Sequence, residues 1–388
     1  MKRGEVCTGL VSKVSFPNRG IIKLESVVGR DLKEDEPGRE VLVKGPLIPG
    51  QKVKFRIKKS RKENCTGILL QILEKSELET ASEKEMCPHF GKCGGCTYLS
   101  MSYDNQLKLK EEQVREIFKD VVKVDFDQIF EGVVPSPDNF SYRNKMEYSF
   151  GDEYKGGPLA LGLHKRNSFY DIVDVKGCKI VHEDFVKVIS LVREYAKENN
   201  ITFYNKITHE GVLRYLVVRR SETENELMVA LVTSSQNSFD PLGVSKILRE
   251  NCPNLTGFIH VITDSVSDSV SCDRMDVVYG RDYIYEKILG LRFKISLFSF
   301  FQTNTRGAEV LYGKAREYIL SAIQNDSLKE KVLYDLYSGT GTIAQMLSPV
   351  AGKVIGVEIV EDAVKAARIN ADLNNISNCE FIAGDVLK

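Results

Sequence analysis

The sequence predicts an α/β multidomain protein, with an N-terminal OB-like β-barrel, a central α+β domain carrying a cysteine cluster, and the first part of a C-terminal Rossmann-like domain. Three observations predict it. Short strands separated by Gly and Pro turns fill the first part of the chain, three cysteines fall in one glycine-rich loop, and a glycine turn opens a strand-helix alternation near the end. The expected bounds are residues 1–78, 79–298 and 299–388.

A chain of 388 residues exceeds one typical domain and can bury more than one core. It has no run of about 18 apolar residues that would span a bilayer, and Met1 to Val6 lacks the apolar run of a signal peptide. A cytoplasmic location is expected. In a reducing compartment the nine cysteines are thiols or ligands rather than bridges. Net charge is zero, which excludes a uniformly basic nucleic-acid binder but leaves local patches open.

In the barrel, segments at Val11 to Val14, Gly20 to Leu24 and Glu40 to Val43 read as strands. After the Gly45 to Gly50 turn, Lys52 to Lys58 alternates strictly. Val53, Phe55 and Ile57 lie on one face, and Lys52, Lys54, Arg56 and Lys58 on the other, extended by Lys59, Arg61 and Lys62. Such a basic face is either a solvated surface or an oligonucleotide-binding one, as on many small barrels.

Residues 74–84 read as a charged linker, and Tyr103 to Lys119 as a helix with Leu107, Val114 and Ile117 inward. The central region is mixed, with strands at Lys145 to Phe150, Leu213 to Arg219 and Leu227 to Thr233, and a helix at Glu183 to Asn199. Basic residues with aromatic neighbours at Ser141 to Lys145, His164 to Arg166 and Arg214 to Arg220 are either solvated strand ends or RNA contacts. Arg143 and Lys165 are the candidates for contact.

Lys331 to Tyr337 reads as a buried parallel strand, followed by the turn Ser338-Gly339-Thr340-Gly341 and a helix. Lys353 to Glu358 is a second strand, Glu361 to Asn374 a helix, and Cys379 to Ala383 a third strand. Glycines after a buried strand let a ligand approach the backbone and a helix N-terminus. Glu358 follows Gly339 by 19 residues, close to the spacing of about 20 at which an acidic residue meets ribose hydroxyls. Asp385 ends the third strand, where an adenine edge could lie. Gly341 is followed by Thr342-Ile343-Ala344, without the third glycine of the dinucleotide fingerprint. S-adenosylmethionine therefore fits better than NAD, which stays as an alternative.

Cys87, Cys93 and Cys96 stand at x5 and x2 spacing in a loop rich in glycine and can converge on one metal centre, with Cys178 beside Gly177 as the best fourth thiolate. Structural zinc, with His89 as a possible ligand, is the competing reading. Cys7, Cys65, Cys252, Cys272 and Cys379 have no ligand spacing and read as ordinary thiols.

The cysteine loop with its distant Cys178, the N-terminal barrel, Ser299-Phe300-Phe301-Gln302-Thr303-Asn304 and Asp335 to Gly341 together resemble the bacterial RNA 5-methyluridine methyltransferases, especially those acting on 23S ribosomal RNA. The resemblance spans the whole chain. It implies a TRAM-type RNA-binding barrel and a 4Fe–4S cluster on Cys87, Cys93, Cys96 and Cys178. It also implies a class I methyltransferase domain in which Gln302, Tyr337, Glu358 and Asp385 contact S-adenosylmethionine alongside Gly339 and Gly341. Gln302 and Tyr337 rest on the resemblance alone. In that family a cysteine thiolate adds to carbon 6 of uracil to activate carbon 5. The family places that cysteine after the third strand, beyond Lys388, so the expectation is a chain without its catalytic nucleophile. A catalytically inactive iron–sulfur RNA-binding protein is the second reading. Strand 331–337 is then expected to expose an unpaired apolar edge.

Overall fold

The computed structural model describes all residues except 62–64, 120, 237–238, 323–329 and 388. Lys62, read above as part of the basic face, lies outside the described residues. The chain separates into two compact units, Met1–Pro135 and Ser136–Lys388.

In the first unit, β1 (Val6–Ser15), β2 (Arg19–Val27), β3 (Glu40–Lys44), β4 (Lys52–Ser60) and β5 (Cys65–Glu74) close into a barrel of order β1-β2-β3-β5-β4. The alternation of β4 sets its register. Val53, Phe55 and Ile57 are at most 1% exposed while Arg56 and Lys58 face solvent, because a one-residue slip would turn three apolar side chains into water. Helix α1 (Tyr103–Phe118) contributes Leu109 to the barrel core, and a short α2 (Phe126–Ile129) follows. The expected inward face of α1 is corrected here. Leu109 and Gln113 are the buried positions, whereas Ile117 is exposed and Leu107 and Val114 are only partly covered. Burying Gln113 is tolerated because its amide Nε2 donates to the Val14 carbonyl at 3.3 Å.

The second unit is built on a seven-stranded sheet of order β12-β11-β10-β9-β6-β7-β8. Its strands are β6 (Lys145–Asp152), β7 (Leu159–His164), β8 (Ile172–Asp174), β9 (Leu213–Arg220), β10 (Leu227–Thr233), β11 (Leu255–Ile262) and β12 (Arg274–Gly280). Helices α3 (Glu183–Glu198) and α4 (Leu242–Asn251) cover one face. The hairpin β13 (Tyr283–Ile288) and β14 (Leu291–Ser296), with α5 (Thr305–Ala322), covers the other. Leu216, Val218, Val229 and Leu231 therefore enter one core, and Tyr215, Val217, Ala230 and Val232 the other. A strand buried on both faces reads as an unbroken apolar run.

The last elements are β15 (Val332–Leu336), α6 (Thr342–Leu347), β16 (Lys353–Glu358), α7 (Glu361–Leu373) and β17 (Cys379–Ala383), with the three strands parallel in the order β15-β16-β17. The reading of the first strand as buried is corrected, while the expected apolar edge is found: β15 is at the sheet edge, with Val332, Tyr334 and Leu336 exposed. Helix α7 docks on the hairpin through side-chain amides, because Asn374 Oδ1 accepts from Arg292 N at 2.8 Å and Asn370 Oδ1 from Lys294 N at 2.8 Å. Among the described residues no helix is long and apolar enough to cross a membrane.

Phe55→Ala should lower the unfolding free energy of the barrel unit by about 3–5 kcal/mol through lost burial and a residual cavity, while Lys58→Ala should stay within about 0.5 kcal/mol of the parent. Urea midpoints measure both, and equal midpoints would contradict the burial of Phe55.

Candidate functional site

The three parallel strands end on the same side, and their carboxyl ends gather the glycine turn, Glu358 and the Gly384-Asp385 pair, the position at which open α/β sheets bind ligands. Ser338 N donates to Val357 O at 3.0 Å and Gly384 N to Glu358 O at 2.9 Å, which ties all three strand ends together. Tyr337 leaves β15 with φ 64°, a left-handed conformation costly for a side chain with a Cβ, and its ring is exposed.

Gly339 and Gly341 have φ 53° and 74°. At Gly339 an added Cβ would meet nothing within 4 Å, so its reverse side faces open space. At Gly341 it would lie 2.6 Å from the Phe381 ring, so glycine is needed there for close packing as well as for the turn. Gly339 N donates to Glu358 Oε2 at 3.0 Å, and Val360 N to Glu358 Oε1 at 2.9 Å. Each carboxylate oxygen keeps a further lone pair for a ligand hydroxyl. Asp385 is partly exposed, with Oδ1 accepting from Leu387 N at 3.0 Å.

Ser338 Oγ is buried with no hydrogen-bond partner among the described residues. It lies 2.9 Å from where a Cβ at position 356 would stand, so glycine at 356 makes room for it. Glu358, with lone pairs left on both oxygens, and the open backbone at Gly339 thus fit the ribose of a cofactor.

Gln302 reaches this end of the fold from the segment before α5. Its carbonyl accepts from Asn144 Nδ2 at 2.9 Å, and burial raises the pKa of the nearby Tyr312 hydroxyl, with the Gln302 side chain partly offsetting the rise. Phe300, two residues earlier, is 73% exposed, and its carbonyl accepts from Thr340 Oγ1 at 3.4 Å.

Sequence reasoning did not single out Asp335. Burial holds its carboxyl above the usual carboxylate range, partly offset by the Ala344 N–H donating to Oδ2 at 2.9 Å. The signal was an acidic residue inside the apolar run Val332-Leu333-Tyr334-Asp335-Leu336.

The basic clusters separate. Arg143 pairs with Val181 and Asn304 in isolated bridges, and Lys165 sits at the turn after β7, 3.4 Å from the Asp171 carboxylate. The reading of Arg214 to Arg220 as an RNA-facing patch is corrected. Arg214 is buried, donating to Thr263 O at 2.8 Å and Ser265 O at 2.6 Å. Arg219 is buried, donating to Leu297 O at 3.0 Å and to Ser299 O, and desolvation lowers its pKa to about 10. Arg220 is engaged with Asp184 at 2.8 Å. These guanidiniums satisfy carbonyl and carboxylate oxygens inside the fold, so their charge is not presented to phosphate.

Cys87, Cys93 and Cys96 lie in consecutive turns of the first unit, with Cys93 N donating to His89 O at 2.9 Å; Cys178 belongs to the second unit. Thiolates suit iron or zinc chemically. Among the described residues, however, no group of three or more His, Cys, Asp or Glu side chains is assembled to hold a metal ion. Of the remaining cysteines, Cys7 and Cys379 have thiols pushed up to about 11 by burial, and Cys65, Cys252 and Cys272 are raised for the same cause.

A methyltransferase-domain family model matches residues 327–388. Across its whole length the chain is 44% identical to an uncharacterized RNA methyltransferase of Caldanaerobacter subterraneus subsp. tengcongensis, covering 81% of that protein. It is 42% identical to another of Clostridium acetobutylicum, again over all of this chain and 80% of the relative. Among solved structures, the tRNA (uracil-54, C5)-methyltransferase of Pyrococcus abyssi, in complex with S-adenosyl-L-homocysteine, superposes with a TM-score of 0.71 at 25% identity, over 97% of this chain and 79% of that one.

A carboxyl whose folded pKa is raised holds its proton more tightly folded than unfolded, so it favours folding in acid and costs stability as pH rises above 3.8. The melting temperature of Asp335→Asn relative to the parent should therefore increase between about pH 4 and about pH 7. A difference independent of pH would contradict the desolvation of Asp335.

Proposed function

Since this chain belongs to the RNA methyltransferases, which use S-adenosylmethionine, we propose that it methylates carbon 5 of uridine in RNA, with 23S ribosomal RNA as the substrate, in the cytoplasm. The observation that carries this reading is the meeting of Gly339 N–H, Glu358 and Gly384-Asp385 at the ends of β15, β16 and β17, in a chain alike over 97% of its length to a uracil-C5 enzyme. The cysteine loop and the barrel support the ribosomal target, because both belong to the motif set that resembles the 23S enzymes.

On this reading Gln302, Tyr337, Gly339, Gly341, Glu358 and Asp385 hold S-adenosylmethionine, which when bound supplies an electrophilic methyl group on sulfonium sulfur. Glu358 would hold the ribose hydroxyls while fixing the glycine turn, and the exposed Tyr337 would supply an aromatic contact. The barrel acts as a TRAM-type RNA grip through the outward face of β4, Arg143 and Lys165 contact RNA, and Cys87, Cys93, Cys96 and Cys178 hold a structural 4Fe–4S cluster. Carbon 5 of uracil is a weak nucleophile and needs a thiolate adding at carbon 6. The raised thiols of Cys7, Cys65, Cys252, Cys272 and Cys379 do not suit that role, and no residue of this chain is assigned to it.

By titration calorimetry Glu358→Ala should weaken S-adenosylmethionine binding by roughly ten-fold or more, from the loss of a charge-assisted hydrogen bond; unchanged affinity would refute the assigned pocket. Mass spectrometry of nucleosides from a strain lacking the gene should show 5-methyluridine missing from 23S ribosomal RNA. Loss confined to transfer RNA would move the substrate, and no loss in either would overturn the uracil assignment. Anaerobically purified protein should carry about four irons per chain, whereas one zinc would refute the cluster.

A further inference from the structure

Glu286, on β13, is 1% exposed and lies away from the glycine turn in sequence and strand order. Six donors converge on it. Oε1 accepts from Ser221 Oγ at 3.1 Å, Thr223 N at 3.0 Å, Thr223 Oγ1 at 2.6 Å and Lys287 N at 3.2 Å. Oε2 accepts from Glu222 N at 2.9 Å and from Thr305 Oγ1 at 2.9 Å. The Thr305 hydroxyl is thereby committed as a donor, and its oxygen accepts from Asn144 Nδ2 at 2.9 Å. The second hydrogen on Asn144 Nδ2 goes to Gln302 O at 2.9 Å. The Asn144 backbone completes the clamp, donating through N to Thr303 O at 2.9 Å and accepting from Arg220 N at 2.9 Å.

We infer that Thr305 and Asn144, anchored by Glu286, are positioning residues that set where Gln302 stands relative to the methyl-donor site; this rests on Gln302 contacting the donor. The polarity of the chain runs one way. Thr305 donates to Glu286 and Asn144 to Thr305, so Glu286 dictates the Thr305 hydroxyl and Thr305 the orientation of the Asn144 amide, whose other hydrogen goes to Gln302 O. Elsewhere the segment between β14 and α5 is tied by Arg219 to the Leu297 and Ser299 carbonyls and by Thr340 Oγ1 to the Phe300 carbonyl, bonds that lie before Gln302, and by the packing of Phe301. With the clamp, the Gln302 carbonyl is fixed by Asn144, the residue that precedes β6. Preorganising a ligand contact in this way raises affinity by removing the ordering cost from the binding step.

The test compares S-adenosylmethionine affinity by calorimetry with melting temperature in the full chain. Thr305→Val removes the hydroxyl while keeping shape, and Asn144→Ala removes both amide bonds. Each should weaken binding about ten-fold, the value of one buried hydrogen bond, whereas Thr305→Ser should retain the parent affinity. Ser234→Ala deletes a buried bond elsewhere, from Ser234 Oγ to Gly211 O at 2.6 Å; it should lower the melting temperature with affinity unchanged. Gln302→Ala tests the premise separately: parental affinity in that variant means Gln302 does not contact the donor. If Gln302→Ala binds weakly while Thr305→Val and Asn144→Ala lose only melting temperature, the network is structural and the inference is overturned.

Discussion

A carboxyl group buried at Glu286 must have its oxygens hydrogen-bonded, or the fold forfeits several kcal/mol. That constraint organises the second unit. The donors come from the turn between β9 and β10, from β13 itself and from the first residue of α5. The central sheet, the hairpin and the helix leading toward the glycine turn therefore meet at one point. Apolar packing of Phe293, Phe301, Ala308 and Tyr312 supplies area around it, but packing is non-directional and would not by itself define the rotation of Asn144 or the path of residues 300–304.

The site at the strand ends follows a similar logic on a smaller scale. Tyr337 and the two glycines adopt positive φ in close succession, a path held because Gly339 N and Val360 N share the Glu358 carboxylate. Asp335, below the turn, is desolvated and accepts a hydrogen bond from the N-terminal turn of α6. Stability is given up at such positions where a ligand-facing geometry is kept.

Much of the local structure was legible because periodicity reports burial directly. The two-residue alternation of β4 appears in the structure with the expected side inward, and the strand-helix order after residue 331 gave the parallel β15-β16-β17 arrangement. Where polar residues are buried, that reading failed. Gln113 replaced Ile117 on the inner face of α1, and Arg214 and Arg219, read as surface cations, turned inward to carbonyl oxygens. Residue type predicts exposure only on average, and a buried polar group depends on a partner far away in sequence.

What the sequence by itself determined were the elements, the glycine turn and the acidic residue 19 positions beyond it, since each depends on near neighbours and on the steric freedom of glycine. Only the tertiary structure decided that Glu358 holds the turn through backbone amides and that Glu286, Thr305 and Asn144 reach Gln302. Asn144 and Gln302 are 158 residues apart. A hydrogen bond needs its two atoms within about 3 Å, and no pattern of spacing along the chain encodes that approach.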